Sequence, residues 1–300
     1  MTVKPTKFSK DFVVWRIINE SKVAAYRDTN IYKDILEKTT NQEATVLAVE
    51  LLTKSITTFD VDTIPKIFES ADSSLKAAII NSAGVKENGP LEDLLVSGLE
   101  SDDIELQFSS VTKLRDFSTK KQHSYREKLI KLLGSPCDKV RSSTVALIGW
   151  WHDPKDFHHI INVAKNDDNA RVKTNALEAL TNYLRDNERS KELISVISDC
   201  IEDDNHRLAT TAAALYYPFA KETADYLLKK FIKSNLELRR AAAAWAMGQT
   251  GDYQNYTEIL LESIQTEDVE MPLFQMARAL AVFCDIKGEI TPTLKSIMDF

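Results

Sequence analysis

An apolar anchor in the same local setting returns about every 32 residues along nearly the whole chain, and few folds accommodate such regularity. Leu52, Ala83, Leu114, Ile148, Leu180, Leu215, Met247 and Leu280 follow one another at intervals of about 31 to 35 residues. Eight positions before the first five stand Ala44, Leu75, Leu106, Val140 and Val172. Three positions before the anchors come Val49, Ile80, Val111, Val145, Leu177, Ala212, Ala244 and Ala277. Offsets of three, four, seven and eight place such residues on one stripe of a helix. A single unit of this kind cannot bury its stripe, whereas a stack can. The periodicity therefore predicts an all-α fold, an α-solenoid of about eight helix pairs.

Two kinds of helix alternate in this reading. The first kind includes TIPKIFES, PLEDLLVSGL, SYREKLIKLL, PKDFHHIINVAK, SKELISVISDCI, TADYLLKKFI and NYTEILLESI. Pro90 and Pro154 sit where a helix tolerates a first-turn proline. The second kind carries the anchors and follows a short polar turn. Asn41, Asp72, Asp102, Asp138, Asp168, Asp204, Asn235 and Asp268 occupy those turns and are expected to cap the helices after them. The expected organisation is a tail and leading helix over 1–29, the repeats over 30–285, and a capping helix over 286–300.

Composition narrows the function. With 43% apolar residues the chain can fill a continuous core, and only 8 glycines disfavour hairpins and phosphate-cradling loops. A net charge of −7 disfavours a general nucleic-acid or anionic-membrane surface. Cys137, Cys200 and Cys284 are few and widely separated, so no disulfide framework or zinc spacing is expected. No run reaches the ~18 apolar residues of a membrane span, and the first residues carry no long apolar signal segment. The expected location is the cytoplasm.

Three segments carry a family resemblance. DDNARVKTNALEALTNY, SPCDKVRSSTVALIGWWHD and NLELRRAAAAWAMGQTGD each set an acidic or polar turn before a basic step, then small apolar residues. They resemble HEAT repeats of the short, phycobilisome-lyase-like kind, armadillo-type in build. The likeness is strongest over residues 135–251 and implies a superhelix of stacked pairs. It specifies architecture far better than function, because such repeats serve scaffolds, adaptors, lyases and a few enzymes.

Candidate binding residues fall into two sets. Lys76, Arg141, Lys173 and Arg240 each lie seven positions before an anchor, with Arg171, Arg207 and Arg239 close by. Such a ladder either presents cations to an acidic partner or ties each turn aspartate to its own or a neighbouring unit. Among the aromatics, Phe117, Trp151, Tyr183 and Phe283 follow their anchors by three, on the core stripe. Trp150, Tyr217 and Trp245 fall off that stripe and are expected to face a partner. The expected partner-binding set is thus Arg141, Trp150, Lys173, Arg207, Tyr217, Arg240 and Trp245.

No catalytic or metal site is expected. In GWWHDPKDFHHI no two histidines within the helix are three or four residues apart, so the imidazoles do not converge. The His-Glu dipeptides of the HEAT-like di-iron hydroxylases are missing, and the net charge opposes a HEAT-like DNA glycosylase. Gly248-Gln249-Thr250-Gly251 lacks the lysine of a phosphate loop and reads as a helix end followed by a turn. The expected function is a non-catalytic scaffold or adaptor, without cofactor, that binds a protein or peptide along the concave helical surface. The alternative that the resemblance implies is a phycobilin lyase or bilin chaperone acting on phycobiliproteins. Nucleic-acid binding is a third and less favoured reading.

Overall fold

The computed structural model describes residues 63–82, 85–185 and 190–287. Within them every regular element is helical and no strand occurs. The chain divides into two compact units, Met1–Leu147 and Ile148–Phe300. The anchors Leu52 and Ala83, the segment 1–29 and residues 288–300 of the expected capping helix lie outside the described residues.

In the first unit the helices are α1 (Thr63–Ser70), α2 (Ser73–Asn81), α3 (Glu92–Leu99), α4 (Ile104–Leu114), α5 (Thr119–His123) and α6 (Arg126–Leu132). The division between units falls inside α7 (Asp138–Gly149). α2 and α3 both pack on α4, and α3 also touches α6. Ile79, Ile80, Leu95, Val111, Leu114 and Leu129 fill this core and are fully buried. The short α5 has no counterpart in the sequence periodicity.

The second unit continues with α8 (Phe157–Asn166), α9 (Ala170–Leu180), α10 (Ser190–Cys200), α11 (His206–Tyr216), α12 (Lys221–Ile232), α13 (Glu237–Thr250), α14 (Tyr253–Thr266) and α15 (Glu270–Lys287). The helices pack in pairs, α8 on α9, α10 on α11, α12 on α13 and α14 on α15. The second helices also pack in succession, α9 on α11, α11 on α13 and α13 on α15. Ile148, Leu180, Met247 and Leu280 are buried as the period predicts, as are Phe117, Trp151, Tyr183 and Phe283. Leu215 is half-buried, because in α11 the buried face is carried by Leu208, Ala209, Ala212 and Ala213.

Polar turns start the second helices, in a register one residue later than expected. Asp72 does cap α2, accepting from Leu75 N at 2.8 Å. Elsewhere the caps are Asp103, Asn169 and Asn205 rather than Asp102, Asp168 and Asp204. Asp138 is the first residue of α7, and Leu236, after Asn235, offers no side-chain cap to α13. The shift has a local cause. An oxygen two residues upstream of each cap position accepts its N–H: Ser101 Oγ from Asp103 at 3.0 Å, Asp167 Oδ1 from Asn169 at 2.9 Å, Asp203 Oδ1 from Asn205 at 2.8 Å. α13 ends as expected on Gly251, in the left-handed region at φ 69°.

Two glycines mark how closely second helices approach. A Cβ built on Gly149, one position after an anchor, would stand 2.3 Å from Ala179 Cβ. On Gly248, likewise one after an anchor, it would stand 3.1 Å from Ala279 Cα and Cβ. Gly149→Ala is therefore expected to lose about 1–3 kcal/mol by overpacking. Gly134→Ala, where the nearest neighbour is a carbonyl oxygen at 3.5 Å, should stay within about 0.5 kcal/mol. Urea midpoints of the two variants measure the difference, and equal midpoints would contradict the close approach.

Candidate functional site

Two of the expected binding residues meet in one groove of the second unit. It holds about 450 Å³ and is lined by Glu178 of α9, His206, Arg207 and Thr210 of α11, Leu238, Ala241, Ala242 and Trp245 of α13, and Met271, Gln275 and Arg278 of α15. The α13 residues stand at i, i+3, i+4 and i+7, so they form one stripe along the helix. Because α13 packs between α11 and α15, that stripe is the floor, and its two alanines keep the floor low. Trp245 is half-buried against the core, while Leu238 and Met271 protrude.

The groove is more positive than the chain as a whole. Arg207 makes a 3.3 Å contact with Glu178, with both side chains about half exposed, so the pair is weakly held and exchangeable. Arg278 is exposed and has no ion-pair partner among the described residues. Burial lowers the pKa of His206, and the charges of Arg239 and Arg207 lower it further. The imidazole is therefore neutral near pH 7 and adds polarity without charge.

The remaining expected site residues are employed elsewhere. Arg141 Nη1 donates to Ser135 O at 2.9 Å and to Pro136 O at 3.3 Å, bracing the turn before its own helix. Arg240 Nη1 donates likewise to Ser234 O at 2.9 Å. Its Nε and Nη2 also grip both oxygens of Glu267, in the next turn, at 2.5 and 2.7 Å. Gln107 repeats this in the first unit, donating to Ser101 O at 2.7 Å and accepting from Ser135 Oγ in the next turn at 3.0 Å. At Gln107 and Arg240 the position four after the cap thus fastens turn to turn, whether its residue is basic or not. Lys173 is half-buried, and its charge counters the rise that burial imposes on the Cys200 thiol.

Tyr217 corrects the sequence reading most directly. It is buried at 7% exposure rather than turned to a partner. Tyr217 follows α11 still in the αR region, its N–H donating to Ala213 O at 3.0 Å, so its side chain continues the buried stripe of Ala209 and Ala213 and packs against Tyr256, ring centroids 5.8 Å apart. The Tyr217 hydroxyl donates to Asp252 Oδ2 at 2.8 Å and accepts from Asn255 Nδ2 at 3.1 Å. Asn255 Nδ2 also donates to Asp225 Oδ1 at 2.9 Å, while Lys221 and Lys229 pair with Asp252 and Asp225. This network ties α11, α12 and α14 together. Trp150 has the expected exposure, 78%, but does not line the groove.

Leu238, Met271, Gln275 and Arg278 were missed by the sequence reading. The available signal was a second small-apolar stripe, Leu238-Ala241-Ala242-Trp245, beside the anchor stripe of the same helix. Among the described residues no group of three or more His, Cys, Asp or Glu side chains is arranged to hold a metal ion, and no helix is long and apolar enough to cross a membrane. No protein-family model matches the chain, and no curated protein matches it significantly.

Two stability predictions follow from these contacts. Glu267 is 3% exposed, and its carboxyl is held below the ordinary value of 4.5, chiefly by the Arg240 hydrogen bonds, against burial. A depressed folded pKa gives stabilisation that is complete above pH 4.5 and lost as pH falls through the folded value. Arg240→Ala should cost about 1–3 kcal/mol near pH 7, and less in acid, in denaturant titrations at several pH values. A pH-independent loss would mean that the ion pair is not its source. Tyr217→Phe should lose about 1 kcal/mol and Tyr217→Ala about 3–5 kcal/mol, read from melting curves. Two unchanged melting temperatures would return Tyr217 to the surface.

Proposed function

We propose that the helix pairs are HEAT-like repeats of a solenoid, and that the molecule is a non-catalytic scaffold holding a protein or peptide segment in the groove over α13. The observation that carries this reading is the groove itself. An aromatic side chain, two protruding aliphatic side chains and two arginines line a trough whose floor is two alanines. Trp and Arg are the residues that most often dominate binding energy, and a recessed floor lets a partner exclude water around them. Repeat folds commonly use such extended surfaces.

A photo-crosslinking residue at position 242 tests the reading in extract of the native host, with one at exposed Ser195 on α10 as control. Protein adducts are expected at 242 and not at 195. Met271→Ala, at an exposed groove position, should weaken capture of the adducted protein at least about tenfold, with the melting temperature retained to within a few degrees. Adducts equal at both positions, or none at 242, would remove the groove from consideration.

A further inference from the structure

The same groove also defines the chemistry of what it takes, an inference that rests on the binding role proposed above. Its floor, from Leu238 to Trp245, runs along the α13 axis for about two helical turns, or ~10 Å. Its walls are α11 and α15, each packed against α13. At about 8–10 Å per packed pair, the wall axes stand roughly 16–20 Å apart, and the walls' own radii of about 5–6 Å leave a furrow roughly 4–10 Å wide, into which the apolar side chains of a helix lying over α13 can insert. An apolar strip runs from the floor onto the α15 wall. Leu238 and Met271 are 45% and 49% exposed, and Phe274, 62% exposed, extends the strip along α15.

Charge supplies the second half of the argument. The chain carries −7, yet Arg207 and Arg278 line this groove from opposite walls, with Glu178 the single carboxylate in its lining. The Glu178 contact is long and exposed enough to be exchanged for a partner's carboxylate. The position of Arg278 beside Trp245 and Met271 suits an amphipathic ligand better than a polyanion, since apolar surface separates the cations. A nucleic-acid strand would meet two cations here and a hydrophobic floor between them.

We propose that the groove binds an acidic amphipathic helix of a partner protein. Its apolar face covers Leu238, Trp245 and Met271, and its Asp or Glu side chains meet Arg207 and Arg278. Recognition of this kind reads apolar anchors at i, i+3 or i+4, and i+7. The flanking carboxylates set orientation and on-rate more than affinity.

Selection of a displayed random 16-residue peptide library on the immobilised full chain tests this, with two variants alongside. Arg278→Glu reverses one wall charge at an exposed position, and Ala242→Trp fills the floor; circular dichroism melting establishes that each folds. The expected enrichment is for Asp and Glu flanking Leu, Phe or Trp at helical spacing. The selected peptides should bind Arg278→Glu at least tenfold more weakly, and Glu→Lys versions of them should recover that loss. Both kinds should fail on Ala242→Trp. Enriched peptides that lose affinity on Ala242→Trp but not on Arg278→Glu would overturn the acidic chemistry and keep the groove. Binding that survives Ala242→Trp, or no enrichment at all, would overturn the groove reading with it. A single-stranded 20-nucleotide oligonucleotide that binds the wild-type chain and competes with the peptides would replace the helix by a nucleic acid.

Discussion

In the second unit each helix pair lays an apolar flank against the next pair, and the rest of that unit follows from how the flank is covered. In the second unit the second helices lie directly against one another, α9 through α15. The contact is made by small side chains. Gly149 meets Ala179 and Gly248 meets Ala279, each glycine one position after an anchor and each alanine one position before the next. Interiors pack near crystalline density, so removing a Cβ at such a crossing moves whole helices closer rather than leaving a gap. The same economy shapes the surface. Where α13 carries alanines on its outward side as well, its neighbours stand proud of it and a trough results.

Polar groups then fix the spacing that the apolar flanks permit. Before the second helices, an Asp, Glu or Ser oxygen holds the N–H of the cap position, and where the cap is Asp103, Asn169 or Asn205 its side chain holds the first turn. In α4 and α13 a long side chain four residues on returns to the turn's own carbonyl and reaches the following turn. Arg240 does so with Glu267, and Gln107 with Ser135. Two rungs of the basic ladder visible in the sequence, Arg141 and Arg240, are therefore braces. An arginine committed to a buried carboxylate and a backbone carbonyl is poorly placed to meet a ligand. The cations left for binding are those outside the ladder's register, Arg207 and Arg278.

The residues of the groove show where sequence reading reaches its limit. Trp245 and Arg207 stood out because an off-stripe aromatic and an extra arginine have no place in the core pattern. Tyr217 stood out for the same reason and was misplaced. The buried face of α11 runs not through the anchor Leu215 but through Ala209 and Ala213, eight and four residues before Tyr217, so the helical period itself turns Tyr217 into the core, where its hydroxyl completes the Asp252, Asn255 and Asp225 network. The caps erred by one residue for an equally local cause, because neighbouring Asp and Asn residues compete for the same role and the upstream oxygen decides between them. Leu238 and Met271 attracted no notice, since a lone exposed aliphatic residue is ordinary on any surface.

The sequence alone determined that the described chain is helical, that two kinds of helix alternate, and which face of most second helices is buried. These properties are set by the spacing of apolar residues along one strand of chain, and a period survives local exceptions such as Leu215. Tertiary structure alone decided which cations are braces and which line the groove, which off-stripe aromatic is core, and that α9, α11, α13 and α15 contribute to one groove. Those outcomes depend on side chains about 30 or more residues apart coming within a few ångströms of each other, a distance that no single repeat encodes.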